Sequence, residues 1–151
     1  MVVLETTLVF KNTVLVEKLY PAGKSGDFLT KDIRTGLLNS LTHLAERAFQ
    51  DKLQNVSLGP YQIIQISQEI RQKKKDSPID FLSMYTIAQK NTNSKEVVKC
   101  MQKAMQQFID RYSIFDIYSL NQQKFLKFAD RFEKIFSKLI ISDEERFRAV
   151  F

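Results

Sequence analysis

The sequence predicts an α/β (α+β) domain: a three-layer α/β/α sandwich around a five-stranded, mainly antiparallel sheet. The predicted element order is β-β-α-β-β-β-α-α. Three observations predict it. Two segments, Val2 to Phe10 and Asp80 to Lys90, are apolar on both alternating faces, so each needs cover on both sides. Three other stretches repeat apolar residues at helical spacing, enough to cover one face with one helix and the other with two. The 151 residues contain no linker, low-complexity tract or internal repeat, which suits a single domain over 1–151.

The first strand is Val2 to Phe10. Alternation places Val2, Leu4, Leu8 and Phe10 on one face and Val3 and Val9 on the other. Lys11-Asn12 reads as a tight turn, because Asn tolerates positive φ. Thr13 to Tyr20 is the return strand, and Glu17 and Lys18 mark it as an edge. Pro21 to Asp27 is a loop by composition.

A helix is predicted from about Thr30 to Gln54. Ile33, Leu37, Leu41, Leu44 and Ala48 form its stripe, and Thr30 is its candidate N-cap. Val56-Ser57-Leu58 alternates and meets the turn signal Gly59-Pro60, giving a short third strand. Tyr61 to Ile70 is the fourth, with Ile64, Ile66 and Ile70 opposite Tyr61 and Ile63. Arg71 to Asp76 is a polar, basic connection. Asp80 to Lys90 is the fifth strand, with Phe81, Tyr85 and Ile87 opposite Leu82, Met84 and Ala88. The first and fifth strands are expected as neighbours at the centre of the sheet.

A helix from about Ser94 to Tyr112 follows, opened by Asn93 and Glu96 in a capping-box pattern. Its stripe is Val97, Met101, Ala104, Met105, Phe108, Ile109 and Tyr112. A last long helix is predicted over Asn121 to Ile140, with Phe125, Phe128, Ala129, Phe132, Ile135, Phe136 and Leu139 facing inward. Ser142 and Glu145 suggest a second capping box and a short C-terminal helix over 143–151, where Asp143, Glu144 and Glu145 favour the helix dipole.

Few residues are equipped for chemistry. Cys100 is the only cysteine and His43 the only histidine, so neither a disulfide framework nor a His/Cys zinc set can be built. No GxSxG, HExxH or CxxC pattern occurs. Gly23-Lys24-Ser25 resembles the tail of a phosphate-binding loop, but the first glycine of that pattern falls on Lys18. A surface loop is the better reading. No stretch approaches the roughly 18 apolar residues of a membrane span, and Glu5, Lys11 and Asn12 break up the apolar N-terminal segment. The expectation is a cytoplasmic protein with no cofactor, no metal and no enzymatic activity.

The opening hairpin Leu8 to Tyr20, the helix Phe28 to Phe49, the stretch Val56 to Ile70 and the strand Phe81 to Lys90 together resemble the longin and roadblock-like group. The fold of that group is profilin-like. The resemblance extends through Ile140, and the two-helix ending favours longin over roadblock. It implies a non-enzymatic module that binds small GTPases, SNARE segments or its own kind in trafficking-type or GTPase-regulating assemblies. No SNARE helix or membrane anchor follows here, so the expectation is a stand-alone module. Its expected partners are a small Ras-like GTPase, another longin or roadblock-like protein, or a second copy.

Two surfaces are candidate sites. The third strand is short and expected at an edge, so Val56, Leu58 and Tyr61 are candidates for pairing with a partner strand. Arg71, Lys73, Lys74 and Lys75 form the one basic cluster, within a net charge of +6. Its alternative reading is binding to nucleic acid or an anionic membrane surface. A solvated hairpin loop is preferred, and nucleic acid disfavoured, because no aromatic residue is interleaved.

Overall fold

The computed structural model describes residues 2–20, 53–72, 74 and 76–140. Its strands are β1 (Val3–Phe10), β2 (Thr13–Leu19), β3 (Leu53–Leu58), β4 (Tyr61–Arg71) and β5 (Ile79–Gln89). They form one antiparallel sheet in the order β2-β1-β5-β4-β3. The doubly apolar strands β1 and β5 are central neighbours, and every residue of β1 is buried. The predicted helix over 30–54 lies outside the described residues, except at its end. There Leu53 and Gln54 are strand residues, paired with Ile66 and Gln65. Cross-strand pairing overrides the helical spacing at that point.

Turn chemistry sets two of the hairpins. Lys11 and Asn12 both take positive φ, 48° and 61°, the signature of a type I′ turn. Gly59 takes φ +58°, and the Pro60 ring holds the next φ negative, the sign sequence of a type II′ turn.

β1 does not alternate regularly. Val3 pairs with Ala88 and Glu5 with Ile87, so Leu4 is an extra residue in the ladder. The bulge flips the faces. Val3, Leu8 and Phe10 join the larger core, whereas Val2, Leu4 and Val9 join a smaller cluster with Ile63, Tyr85 and Ile87. The expected face of Val2, Leu4, Leu8 and Phe10 is therefore split. A second irregularity at Leu15 lets Leu15 and Val16 both reach the larger core.

The larger core lies under α1 (Ser94–Arg111), α2 (Ile114–Tyr118), a 3-10 helix (Gln122–Phe128) and α3 (Ala129–Ile135). Asn93 caps α1, accepting from the Lys95 and Glu96 amides at 3.0 and 3.3 Å. The stripe of α1 is buried at Val97, Met101, Ala104, Met105 and Phe108.

The expected continuous helix over Asn121 to Ile140 is instead two shorter pieces, preceded by the unexpected α2. Leu120 adopts a left-handed φ of 54°, and Asn121 caps the 3-10 helix through the Gln123 amide. The 3-10 winding aligns residues three apart. Phe125 and Phe128 thereby both meet Phe108, with ring centroids 5.2 and 5.1 Å away. Tyr112 and Phe132 extend this cluster through contacts at 4.8 and 5.3 Å. Aromatic packing thus outweighs the regular α-helix the spacing predicts.

Phe128→Ala should cost about 3–5 kcal/mol, because it removes a fully buried ring from this cluster. Phe115→Ala, at a ring 80% exposed, should change stability by less than about 0.5 kcal/mol. Urea unfolding followed by circular dichroism measures both.

Candidate functional surfaces

The two edges of the sheet differ. At the β2 edge, the Gln122 side-chain amide donates to the Val14 carbonyl at 2.8 Å, and Lys18 pairs with Glu133 at 3.3 Å. The helical layer therefore closes over that edge. Among the described residues, no element pairs with the outer side of β3. A two-residue hairpin closes on a hydrogen-bonded pair, here Leu58 with Tyr61. Hydrogen-bonded and non-hydrogen-bonded pairs then alternate. Asn55 and Ser57 consequently turn their N–H and C=O groups away from β4, and both residues are exposed.

Of the sequence candidates here, Val56 pairs with Ile63 and Leu58 with Tyr61, so both lie on the edge strand. Tyr61 opens β4 instead. It is half-buried and packs with the smaller cluster of Val2, Leu4 and Ile63.

Gln62 holds this edge to the rest of the fold. Its buried amide nitrogen donates to the Thr92 carbonyl at 2.7 Å and to the Gln89 and Lys90 carbonyls at 3.2 and 3.3 Å. Its oxygen accepts from the Asn55 side-chain Nδ2 at 3.2 Å. Thr92 in turn donates to the Val2 carbonyl at 3.3 Å. One side chain thus links the edge strand, the β5–α1 connection and, through Thr92, the start of the chain. The sequence signal for it was a glutamine in an otherwise apolar strand row with Ile64 and Ile66.

Two hollows of about 310 and 280 Å3 lie between the β3–β4 hairpin and α1, and Val98 lines both. Ile64, Lys95 and Lys99 line the smaller one, and Ile66, Gln102 and Met105 the larger. Among the described residues, the unpaired side of β3 and the indented flank of α1 therefore form one continuous surface.

The second surface lies at the loop end of β4 and β5. Arg71 ends β4, and Lys74 stands exposed in the following loop; Lys73 and Lys75 lie outside the described residues. A groove of about 550 Å3 opens between this loop and α2, lined by Gln72, Lys74, Ser113, Ile114, Phe115 and Tyr118. The aromatics missing from the basic segment in sequence are thus supplied in space by α2. The Lys124 ammonium sits 5.8 Å from the Phe115 ring centroid, and that of Lys11 sits 5.0 Å from the Tyr118 ring. Lys11 also pairs with Asp80 at 3.8 Å.

Local chemistry fixes α2 in place. Ser113 and Asp116 form a reciprocal capping box, and Lys124 bonds Asp116 at 3.1 Å. Lys124 and then Ser113 hold the Asp116 carboxyl below the usual range. Tyr118 donates to Asp80, and its phenol is pushed up to about 12, chiefly by burial and then by that carboxylate. The signal for α2 was legible as Ser113 followed by Asp116, three residues on.

The remaining chemical candidates do not converge. His43 and Gly23-Lys24-Ser25 lie outside the described residues. Burial, then Glu96, pushes the Cys100 thiol up, and it donates to the Ile135 carbonyl at 3.5 Å. No group of three His, Cys, Asp or Glu side chains able to hold a metal occurs among the described residues. No described helix is long and apolar enough to cross a membrane. Compared with protein-family models, with curated proteins and with solved structures, the chain matches none.

Gln62→Met should cost about 1–3 kcal/mol, since it strands the Thr92 carbonyl in a buried site. Urea unfolding gives the magnitude, and faster amide exchange in β3 than in β1 gives the location. Asp116 should titrate below the ordinary aspartate value of about 3.9. Because its folded pKa is depressed, its stabilising effect is present above that ordinary value and lost as pH falls through the folded pKa. Carboxyl-detected NMR should show the shift, and Lys124→Ala should move the titration back up.

Proposed function

We propose that this chain is a non-enzymatic protein-interaction module resembling longin domains, which binds or regulates a small Ras-like GTPase in a trafficking-type or GTPase-regulating assembly. The observation that carries the reading is the β3 edge, unpaired among the described residues, beside the indented flank of α1. Asn55 and Ser57 offer outward backbone groups there, which a partner strand can pair with directly. Val98, Lys95 and Lys99 on the neighbouring helix flank supply side-chain contacts for specificity.

The three-layer sandwich belongs to the same proposal. Support comes from the second sheet face itself. Val2, Leu4, Ile63, Tyr85 and Ile87 are buried there, yet among the described residues no helix contributes to the cluster. A buried apolar face needs a covering layer. The edge would equally accept β3 of a second copy, giving a dimer with a continuous sheet.

The test mixes the protein with small GTPases of the same genome, loaded with GDP or with a GTP analogue. A complex is expected in one nucleotide state, and no complex in either state counts against the reading. Ser57→Pro removes an outward N–H without touching the β3–β4 ladder, so the fold should survive. Binding should drop at least roughly tenfold, as expected if edge pairing contributes one or more backbone hydrogen bonds. Undiminished binding would remove the edge from the interface. Sedimentation equilibrium of both proteins separates a partner from a second copy.

A further inference from the structure

We propose that the segment bound at the β3 edge is acidic: Lys95 and Lys99 receive its carboxylates, and the smaller hollow beside them takes an apolar side chain two residues away. The proposal rests on the edge reading and names the chemistry of the strand that pairs there.

The two cations sit in an unfavourable local setting. α1 places Lys95 and Lys99 one turn apart, and both are exposed. Like charges at that spacing repel. Lys95 also stands in the first turn of α1, the end where the helix dipole disfavours a cation. Neither lysine forms an ion pair with a described residue. Helix stability therefore gives no reason for the pair. Glu96 lies between them in sequence but is directed round the helix toward Cys100, whose thiol it raises. No acidic side chain lines either hollow along this flank.

The smaller hollow supplies the other half of the recognition. Val98 and Ile64 line it together with the two lysines and Asn55. Asn55 pairs with Ile64 and Ser57 with Gln62, so both edge residues face the α1 side of the sheet. Their side chains are short and leave the helix flank uncovered. A strand added outside β3 sends alternate side chains over Asn55 and Ser57 toward that flank. One apolar and one acidic residue, two positions apart, match the hollow and the lysines.

Charge and backbone together select the occupant. A second copy would bring its own β3, Leu53–Leu58, which contains no acidic residue. A nucleic acid would satisfy the lysines, but no aromatic side chain lines the hollows to stack its bases. The outward amides and carbonyls of Asn55 and Ser57 match a peptide backbone. An extended acidic peptide uses the edge, the hollow and the lysines at once.

A display library of random nine-residue peptides, panned on the intact protein, tests this. Enriched peptides should carry aspartate or glutamate two positions from an apolar residue. A fluorescent synthetic copy of one should bind more weakly as salt rises. Lys95→Glu and Lys99→Glu should each weaken it by roughly fivefold or more. Both variants should fold, since Lys95→Glu puts an acid in the first turn and four residues before Lys99, where dipole and spacing favour it. Enriched peptides without acidic residues, or binding unchanged by both variants, overturn the proposal. If Ser57→Pro still abolishes that binding, the edge reading stands without it. Acidic peptides that need both lysines yet survive Ser57→Pro support the acidic partner and remove strand pairing. No enriched peptide at all overturns both. A single-stranded oligonucleotide that binds more tightly than any enriched peptide, and is released by the same two substitutions, overturns the proposal and assigns the flank to nucleic acid.

Discussion

The pairing of β1 with β5 is the constraint on which the rest of the structure depends. Both strands are buried on both faces, so they can only occupy the middle of the sheet. Their antiparallel contact forces β2 to one flank and β4 to the other, and β3 follows β4 through a two-residue turn. It also fixes the ends of the described chain. The Val3 amide donates to the Leu139 carbonyl at 2.7 Å, which ties the start of β1 to the turn after α3. The bulge at Leu4 lets this short strand feed two clusters. Without it, Val2 and Leu4 would point into the same face as Leu8 and Phe10.

From that centre outward the sheet becomes asymmetric, and the asymmetry defines its surfaces. Packing of the 3-10 helix and α3 against β2 closes one edge with Gln122 and an ion pair. No described element does the same at β3, which Gln62 instead ties to the rest of the fold through the Asn55 side chain. An edge held in place and unpaired among the described residues is pre-organised, so ordering it would cost a partner strand little freedom. The loop end of β4 and β5 is different in kind. There, short-range caps and ion pairs hold an aromatic ring and a set of lysines outward.

Much of this was legible in local pattern. Val2 to Phe10 and Asp80 to Lys90 read as central strands because apolar residues occupy both faces, and no tertiary fact was needed to see it. Lys11-Asn12 and Gly59-Pro60 read as turns from backbone preference alone. Three features were not legible. The bulge at Leu4 depends on which residue of β5 faces which residue of β1. The break-up of the segment over Asn121 to Ile140 depends on Phe125 and Phe128 both needing to reach Phe108, a ring on another helix. The environment of the basic segment depends on Phe115 and Tyr118, some forty residues away in the chain. A search for interleaved aromatics within the segment could not find them.

The division follows from the range of the interactions involved. The sequence by itself determined the middle of each strand, the turns, the N-cap of α1 and its buried stripe, because each depends on neighbours within a few residues. The tertiary structure alone decided which edge the described helices close, where Gln62 directs its donors and which side chains share a surface with Lys74. Those outcomes depend on packing between elements far apart in the chain, and alternation or helical spacing carries no record of it.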